Sequence, residues 1–544
     1  MTASFLDLRD RTAMLERLRA ETFDVLVIGA GITGAGIARD AAMRGLRVAL
    51  VEAADFASGT SSRSTKLVHG GLRYLAQGDV GLVREAATER AHVQRIAPHL
   101  AIVTPVIVGA RSRLQLTKLR AGLWTYEKLG GVMHDEQHEV WDRARLARDE
   151  PVLRNAELAG AIVYSEYITD DARLTVANVR SAHAHGAVVA NYVPVVSLLR
   201  EGDQVVGVCI ADALGDSCAA EGQQAGGSMT NAAAEVRARV VVNATGPWAD
   251  VLRHMEASGS GNRLQLTKGI HLVVPKAKFP LRHMAIVDAA DGRGVFMVPR
   301  GEYVYLGTTD TFYPNAVHWP EITQEDIDYV LAAVARNSTL APQRDDVVAM
   351  WAGIRPLIAQ SGKKPSEISR KDETMVGSGG VISIAGGKLT AFRRMAERVT
   401  DLCEQRLGRS VSASGTADDA LPGGDIEGSL DALRSRVLAQ TGDAASAERL
   451  TRLYGAEAAQ VTANGGLMVD VVVGEVEQAL TREGAIRLED WWVRRAARAW
   501  FDNESAALVR GADEFAARLG WSEERKATEI ERCKRAIAAT NAAD

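Results

Sequence analysis

Two short stretches near the start of the chain hold residues whose types and spacing could do chemistry. The first is Gly29-Ala30-Gly31-Ile32-Thr33-Gly34, a G-x-G-x-x-G run. Gly29 permits a tight turn, Gly31 lets the backbone approach a pyrophosphate, and Gly34 lets a helix pack closely on a strand. Phosphates would then face the free N–H groups of a helix N-terminus. Glu52 lies 18 residues beyond Gly34, where its carboxylate can accept hydrogen bonds from ribose hydroxyls. This pattern marks a dinucleotide site without separating NAD from FAD. The second stretch runs Ser58-Gly59-Thr60-Ser61-Ser62-Arg63-Ser64-Thr65-Lys66-Leu67-Val68-His69-Gly70-Gly71-Leu72-Arg73-Tyr74-Leu75. Its small hydroxyl residues can donate to phosphate oxygens, and its Gly pair lets backbone pass close to a flat ring. By itself the stretch is also compatible with an ordinary polar surface loop.

Elements must hold these groups in place. Residues 23–29, FDVLVIG, form a short apolar run that reads as a buried parallel strand. A helix is expected from Gly34 to Arg44 and a second strand from Arg47 to Glu52, completing a β-α-β unit. Strands are further expected at Val205–Ile210, Val236–Asn243, His271–Pro275, Gly294–Pro299 and Tyr303–Thr308. Helical patterns occupy 4–20, 323–335 and part of 386–406. The stretch 211–234 is rich in Ala, Gly, Gln and Ser and reads as an insertion at a hairpin. Residues 408–429, which include LPGGDIEG, read as a linker before a helical C-terminal part.

Composition narrows the function classes. With 544 residues the chain exceeds one ordinary core, so two or three domains are expected. A net charge of −5 argues against a broad nucleic-acid surface. Cys209, Cys218, Cys403 and Cys533 form no C-x-x-C pair and no cluster with zinc spacing, so no metal is expected. So few thiols fit a reducing, cytoplasmic compartment. No run of apolar residues is long enough to span a bilayer.

The block TSSRSTKLVHGGLRYL resembles the signature of FAD-dependent glycerol-3-phosphate dehydrogenases. Further matches follow in order: Val242-Asn243-Ala244-Thr245-Gly246-Pro247-Trp248, Thr267-Lys268-Gly269-Ile270-His271 and Gly307-Thr308-Thr309-Asp310. Gly353-Ile354-Arg355-Pro356-Leu357 and Gly386-Gly387-Lys388-Leu389-Thr390 complete the set. The resemblance covers residues 20–405, and more loosely the C-terminal part. It implies an α/β fold, with a glutathione-reductase-like FAD-binding Rossmann domain interleaved with a mainly antiparallel-sheet substrate domain. Those occupy 1–407, followed by the linker 408–429 and an all-helical cap domain at 430–544. Arg63 and the long 211–234 insertion depart from the family pattern.

The implied activity is oxidation of sn-glycerol 3-phosphate to dihydroxyacetone phosphate, with hydride passing to flavin and electrons to a membrane quinone. The implied FAD contacts are Gly29, Gly31, Gly34, Glu52, Thr60, Ser61, Ser62, Lys66, Leu67, His69, Gly70 and Gly71 in the first part of the chain. Ala244, Thr245, Gly246, Gly353, Gly387, Lys388, Leu389 and Thr390 complete them. The substrate contacts are Arg73, Tyr74, Thr308, Arg355, Arg370 and Lys388. Four cations in these blocks suit a phosphate better than a simple carboxylate, for which one bidentate Arg suffices. His69, Arg355 and Lys388 are expected to carry the chemistry. A cation beside the substrate oxygen, Arg355, would stabilise developing alkoxide charge. His69 is either the base, its unperturbed pKa of ~6.5 suiting the task, or a backbone-bonded residue lining the FAD loop.

Peripheral attachment to the inner face of the cell membrane would bring the chain to its quinone. Ser4–Arg19, with Phe5, Leu8, Leu15 and Leu18 near one face, could lie on a membrane; packing on the protein's own surface is the favoured reading. Trp491-Trp492 with Arg494 and Arg495 is a second such segment, read chiefly as cap-domain core. A homodimer is the assembly considered. The alternatives are an oxygen-using glycerol-3-phosphate oxidase or a related amine or amino-acid oxidase. A flavin-binding scaffold without turnover is disfavoured by the intact cationic and Gly blocks.

Overall fold

The structure, a computed structural model, describes residues 5–70, 80–130, 136–214, 234–360, 362, 368, 371–465 and 470–538. Two sheets organise the chain. The first has eight strands, with spatial order Asp372–Val376, Ile382–Gly386, Ala234–Asn243, Thr22–Ile28, Val48–Val51, Val188–Ala190. Its middle is parallel: Thr22–Ile28 lies between Ala234–Asn243 and Val48–Val51, with Val25 opposite Val240 on one side and Val48 on the other. Strands buried on both faces read as continuous Val/Ile/Leu runs, and Val25, Leu26 and Val27 are fully buried. Val195–Glu201 and Gln204–Ile210 add an antiparallel extension, Ile210 pairing with Ala234. The expected hairpin therefore exists; most of the expected insertion, 215–233, lies outside the described residues.

The helix Ile32–Met43 packs against Asp171–Ala184 and Phe392–Arg406. It is buried along most of its length, hence its run of Gly, Ala and Ile. Close approach explains Gly36, where a Cβ would lie 3.1 Å from the Phe392 ring.

The second sheet has ten strands and is mainly antiparallel. Its centre runs Leu264–Pro275, Tyr303–Gly307, Gly294–Arg300, Met284–Asp288, and Ala349–Ile358 pairs along ten residues of Leu264–Pro275. One face, through Ile270, Leu272 and Val274, packs on the helix Gln324–Asn337. The other face, through Val273, Tyr305 and Trp351, shares a core with Trp491, Trp492, Trp500 and Phe515 of the C-terminal helices. A further small core joins Leu433, Val437, Leu450 and Val461 within those helices.

The N-terminal helix is shorter than its pattern predicts. It spans Arg11–Ala20 because Asp10 caps it, accepting a bond from the Ala13 N–H. Leu6, Leu8 and Leu18 are buried against the protein. Trp491 and Trp492 lie in a buried turn, Asp490–Arg495. Both segments are used in the core: Leu8 and Leu18 are buried and Leu15 packs against that core, while Phe5 stays 56% exposed beneath Arg482. No described helix is long and apolar enough to cross a membrane.

Candidate active site

The parallel strands deliver three separated segments to one place. The Gly29–Gly34 loop follows Thr22–Ile28, Glu52 follows Val48–Val51, and Ala244 follows Ala234–Asn243. A Cβ on Gly29, which has φ +98°, would lie 2.8 Å from the Ala244 carbonyl oxygen. A Cβ on Gly34 would lie 1.8 Å from the Gly29 carbonyl oxygen. Only glycine closes this turn between strand and helix. At the mouth of the loop the Ile32 N–H donates to Ser61 Oγ (2.9 Å), and a Cβ on Gly31 would stand 3.1 Å from that oxygen. Glu52 is anchored by the amides of Ala30 (2.7 Å) and Ala54 (3.0 Å). Burial raises its carboxyl pKa, against the lowering pull of those amides. Bare glycine backbone, the start of the helix Ile32–Met43 and one carboxylate thus meet in one place, an arrangement that fits a dinucleotide.

Thr245 donates to Asn243 Oδ1 (2.7 Å), and Gly246, at φ +58°, opens the turn Gly246–Trp248. Thr60 ties this cofactor side to the second sheet, its hydroxyl donating to the Ile354 carbonyl (2.5 Å). Ser62 is buried and bonded back to Gly59. Gly353 is needed because a Cβ there would lie 2.5 Å from the Arg63 carbonyl oxygen.

The Lys66 side chain is placed otherwise than expected. It is buried, its ammonium bonded to Asp171 (2.5 Å) and the Ser62 carbonyl (3.0 Å). A left-handed backbone at Lys66 (φ +56°) turns the chain here, and the ammonium braces the loop from within. Leu67 is buried and pairs with Ile168.

His69 meets the other end of the chain. Its N–H donates to Thr390 Oγ1 (3.1 Å), which donates back to the His69 carbonyl (3.0 Å). Gly70 donates to the buried Glu166 (3.0 Å). The Glu166 carboxyl is raised by burial and pulled down by Arg90 and Lys388, which places Lys388 within electrostatic reach of this loop. Gly386 ends a strand and Gly387 follows it, both at positive φ. Lys388 then precedes the turn Leu389–Ala391, which runs into the helix Phe392–Arg406. A cleft here is lined by Lys371, Asp372, Gly387, Lys388 and Thr390.

Arg355 lies across the second sheet. Its guanidinium donates to Thr308 Oγ1 (2.9 Å), the Thr309 carbonyl (3.2 Å) and Asp310 (3.1 Å). It passes over Gly269, where a Cβ would collide with it at 2.1 Å. Next to it, His271 is fully buried, stacked on Trp351 at 4.9 Å and bonded to Thr65 Oγ1 at 3.0 Å. Burial, then Arg355 and Lys66, hold its pKa well below the usual histidine value. The strand of Arg355 ends beside the Gly386 turn, with Ile358 3.4 Å from a Cβ there. Thr308, Arg355, the Thr60 loop and the Lys388 turn thus belong to one connected region. Gly71, Arg73, Tyr74 and Arg370 lie outside the described residues.

Residues 24–393 match the family model of FAD dependent oxidoreductases. The chain is 39% identical, over 95% of both sequences, to the aerobic glycerol-3-phosphate dehydrogenase of Bacillus subtilis. It belongs to the aerobic glycerol-3-phosphate dehydrogenase family. A Staphylococcus epidermidis member is 37% identical over 97% of this chain and 96% of its own. The solved glycerol-3-phosphate dehydrogenase from Bacillus halodurans, complexed with FAD, superposes with a TM-score of 0.79 at 34% identity, covering 98% of each chain. Residues 414–526 match the model of the C-terminal domain of alpha-glycerophosphate oxidase. Glycine oxidase from Geobacillus kaustophilus, at 21% identity and TM-score 0.53, shares the fold.

As in the rest of the dehydrogenase family, the cofactor is FAD, and the Gly29–Gly34, Glu52 and Ser61 cradle suits its dinucleotide part. Sequence reasoning did not assign site roles to Thr65, Glu166, Asp171, His271 or Trp351. His271 stands within a matched block, which was its one signal. Glu166 and Asp171 reach the loop from a strand and helix about a hundred residues on, with no motif around them.

Proposed function

We propose that this chain oxidises sn-glycerol 3-phosphate to dihydroxyacetone phosphate and passes the electrons to a membrane quinone. The observation that carries the reading is Arg355, fixed by Thr308 and Asp310 on the sheet face braced against the Thr60 loop. The phosphate would be held by Arg73, Arg370 and Lys388, with Tyr74 and Thr308 beside it; Arg forks suit phosphate oxygens. Arg355 would stand by the oxygen of the oxidised carbon and stabilise negative charge as its proton leaves. His69, its main chain held on both sides by Thr390, is the residue we assign to take that proton. Bound FAD supplies the redox step by accepting hydride from the same carbon. We place the protein in the cytoplasm, on the inner face of the membrane that holds the quinone, with a homodimer as the assembly to test.

The test is anaerobic mixing of the FAD-loaded protein with sn-glycerol 3-phosphate. The yellow flavin band should bleach, and adding quinone should restore it. Failure to bleach would remove the substrate assignment. The likeness of residues 414–526 to an oxidase domain favours a second reading, with oxygen as acceptor. Stoichiometric peroxide, with no faster return in quinone than in air, would select it.

A further inference from the structure

Arg63, which departs from the family pattern, is drawn into the interior and is only 3% exposed. Its guanidinium donates to the Ser58 carbonyl (2.5 Å), approaches the Gly59 carbonyl (3.5 Å) and lies 3.9 Å over the Trp319 ring. Among the described residues it forms no ion pair, and its buried Nε meets no acceptor. A buried arginine is ordinarily paired with an acid. Elsewhere in this chain that holds: Arg44 has Asp40, Arg173 has Glu483 and Arg495 has Asp55. The two acids whose field favours the Arg63 charge are engaged already, Glu489 by Arg494 (2.8 Å) and Asp171 by Lys66 (2.5 Å). Burial, with Arg494 repelling it, brings the Arg63 pKa down to about 9. The fold thus carries a buried cation that no described carboxylate contacts.

Its place in the fold decides what can balance that charge. The carbonyls it holds open the loop Ser58–Ser62, and at Ser61 the same loop reaches the dinucleotide cradle, where Ser61 Oγ accepts from the Ile32 N–H (2.9 Å). A trans peptide sets N–H opposite C=O, so drawing the Ser58 carbonyl toward Arg63 turns the Gly59 N–H away from it. The loop therefore links the guanidinium to the start of the helix Ile32–Met43, the end of a helix that suits a pyrophosphate. We propose that Arg63 is an FAD-holding residue whose counter-charge is the doubly negative pyrophosphate of the cofactor, attracted across the loop Ser58–Ser62. Such attraction needs no direct contact, because water and salt screen a buried charge little. Trp319 contributes by covering the guanidinium with a ring face in place of an acid. The inference does not depend on the substrate or on the electron acceptor.

The FAD-loaded full chain tests it with no substrate present. Arg63→Met and Arg63→Gln remove the charge, the second keeping a donor for the Ser58 carbonyl, and Arg63→Lys keeps the charge without the planar fork. Flavin fluorescence on dilution reads the dissociation constant of FAD. The neutral variants should bind FAD about tenfold more weakly or worse, the scale of one partly screened charge pair. Arg63→Lys should stay within about threefold of the parent. ADP, which carries the pyrophosphate without the flavin, should lose affinity for the FAD-stripped chain by the same factor as FAD. The rise in thermal midpoint that FAD produces should shrink in the neutral variants; one of them that folds is enough for every comparison. Neutral variants that hold FAD as tightly as the parent overturn the proposal, whatever their melting temperature. So does a loss in Arg63→Lys as large as theirs, which would make the fork on the Ser58 carbonyl the cause. Unchanged ADP binding beside weakened FAD overturns it too, since the charge would then act on the flavin. Variants that bind FAD and ADP normally but need more sn-glycerol 3-phosphate for bleaching would give Arg63 to the phosphate of the substrate instead.

Discussion

Arg355 does its work only if its guanidinium stays where Thr308, Thr309 and Asp310 put it. Three hydrogen bonds in a planar fork leave it little freedom, and lysine cannot reproduce that geometry. Arg355→Lys should keep FAD and lower the anaerobic rate of flavin reduction by roughly a hundredfold, the usual effect of losing a charge-stabilising donor. Gly269 gives an independent test of the same placement. It contributes no side chain, yet a Cβ there would meet both Arg355 and Thr308 Oγ1. Gly269→Ala should mimic the Arg355 variant in flavin reduction while leaving FAD content unchanged. A near-parental rate in either variant would take Arg355 out of the reaction. The motif was legible in the sequence because Gly353, Arg355 and Thr308 stand in matched blocks. Lys66 shows where that reading stops. Its block matched equally well, but its ammonium is drawn inward by Asp171, 105 residues away, and no local pattern records that pairing.

Elements were legible wherever burial is two-sided. The Thr22–Ile28 strand, the helix after it and the Ala234–Asn243 strand follow their apolar runs within a residue or two. Amphipathic ends were less so: the N-terminal helix starts at Arg11, because a cap decides its first turn and periodicity does not. The turn Pro98–Leu100 makes an element-scale connection that no motif announces. Its His99 is buried and sits where Gly423 and Gly455 leave room for the ring, within about 3 Å of where their side chains would start. Burial, with Arg173 nearby, pulls the His99 pKa down to about 3. The unfolded chain takes up a proton there near its ordinary value of about 6.5, and the folded chain refuses it. Stability from neutral His99 is therefore complete above about 6.5 and is lost progressively as pH falls towards 3. Thermal midpoints measured at about pH 7.5 and about pH 5 should drop in the parent and drop less in His99→Gln. Equal drops in both would show that His99 does not control the attachment.

At the scale of the whole molecule, the helical C-terminal part is bonded to the cofactor side by buried charge. Asp55, three residues past Glu52, is fully buried and accepts both Arg495 (2.5 and 2.7 Å) and Arg494. Arg495 also donates to the Glu483 carbonyl (3.0 and 3.1 Å), and Arg494 to Asp490 (2.9 Å). The two arginines hold the Asp55 carboxyl below its usual range despite burial. Residues 408–429 are fastened as well: Arg39 donates to the Asp419 carbonyl (2.6 Å), and Ser414 to Asp40 (2.7 Å). From composition this stretch reads as a linker, since Gly, Ser and Asp signal turns and say nothing of the buried Arg39 that collects them. Removing one partner of a buried pair costs roughly 3–5 kcal/mol where the other charge is left without compensation, and less here because Arg494 still donates to Asp55. Arg495→Leu should therefore lower the thermal midpoint and, because Asp55 continues the Glu52 turn, weaken FAD binding together with it. Excess FAD should recover part of the lost midpoint, since a ligand that binds only the folded state stabilises it by mass action. Calorimetry with and without added FAD reads both effects. A variant that loses stability but binds FAD as tightly as the parent would show that the C-terminal helices support the fold without shaping the cofactor loop.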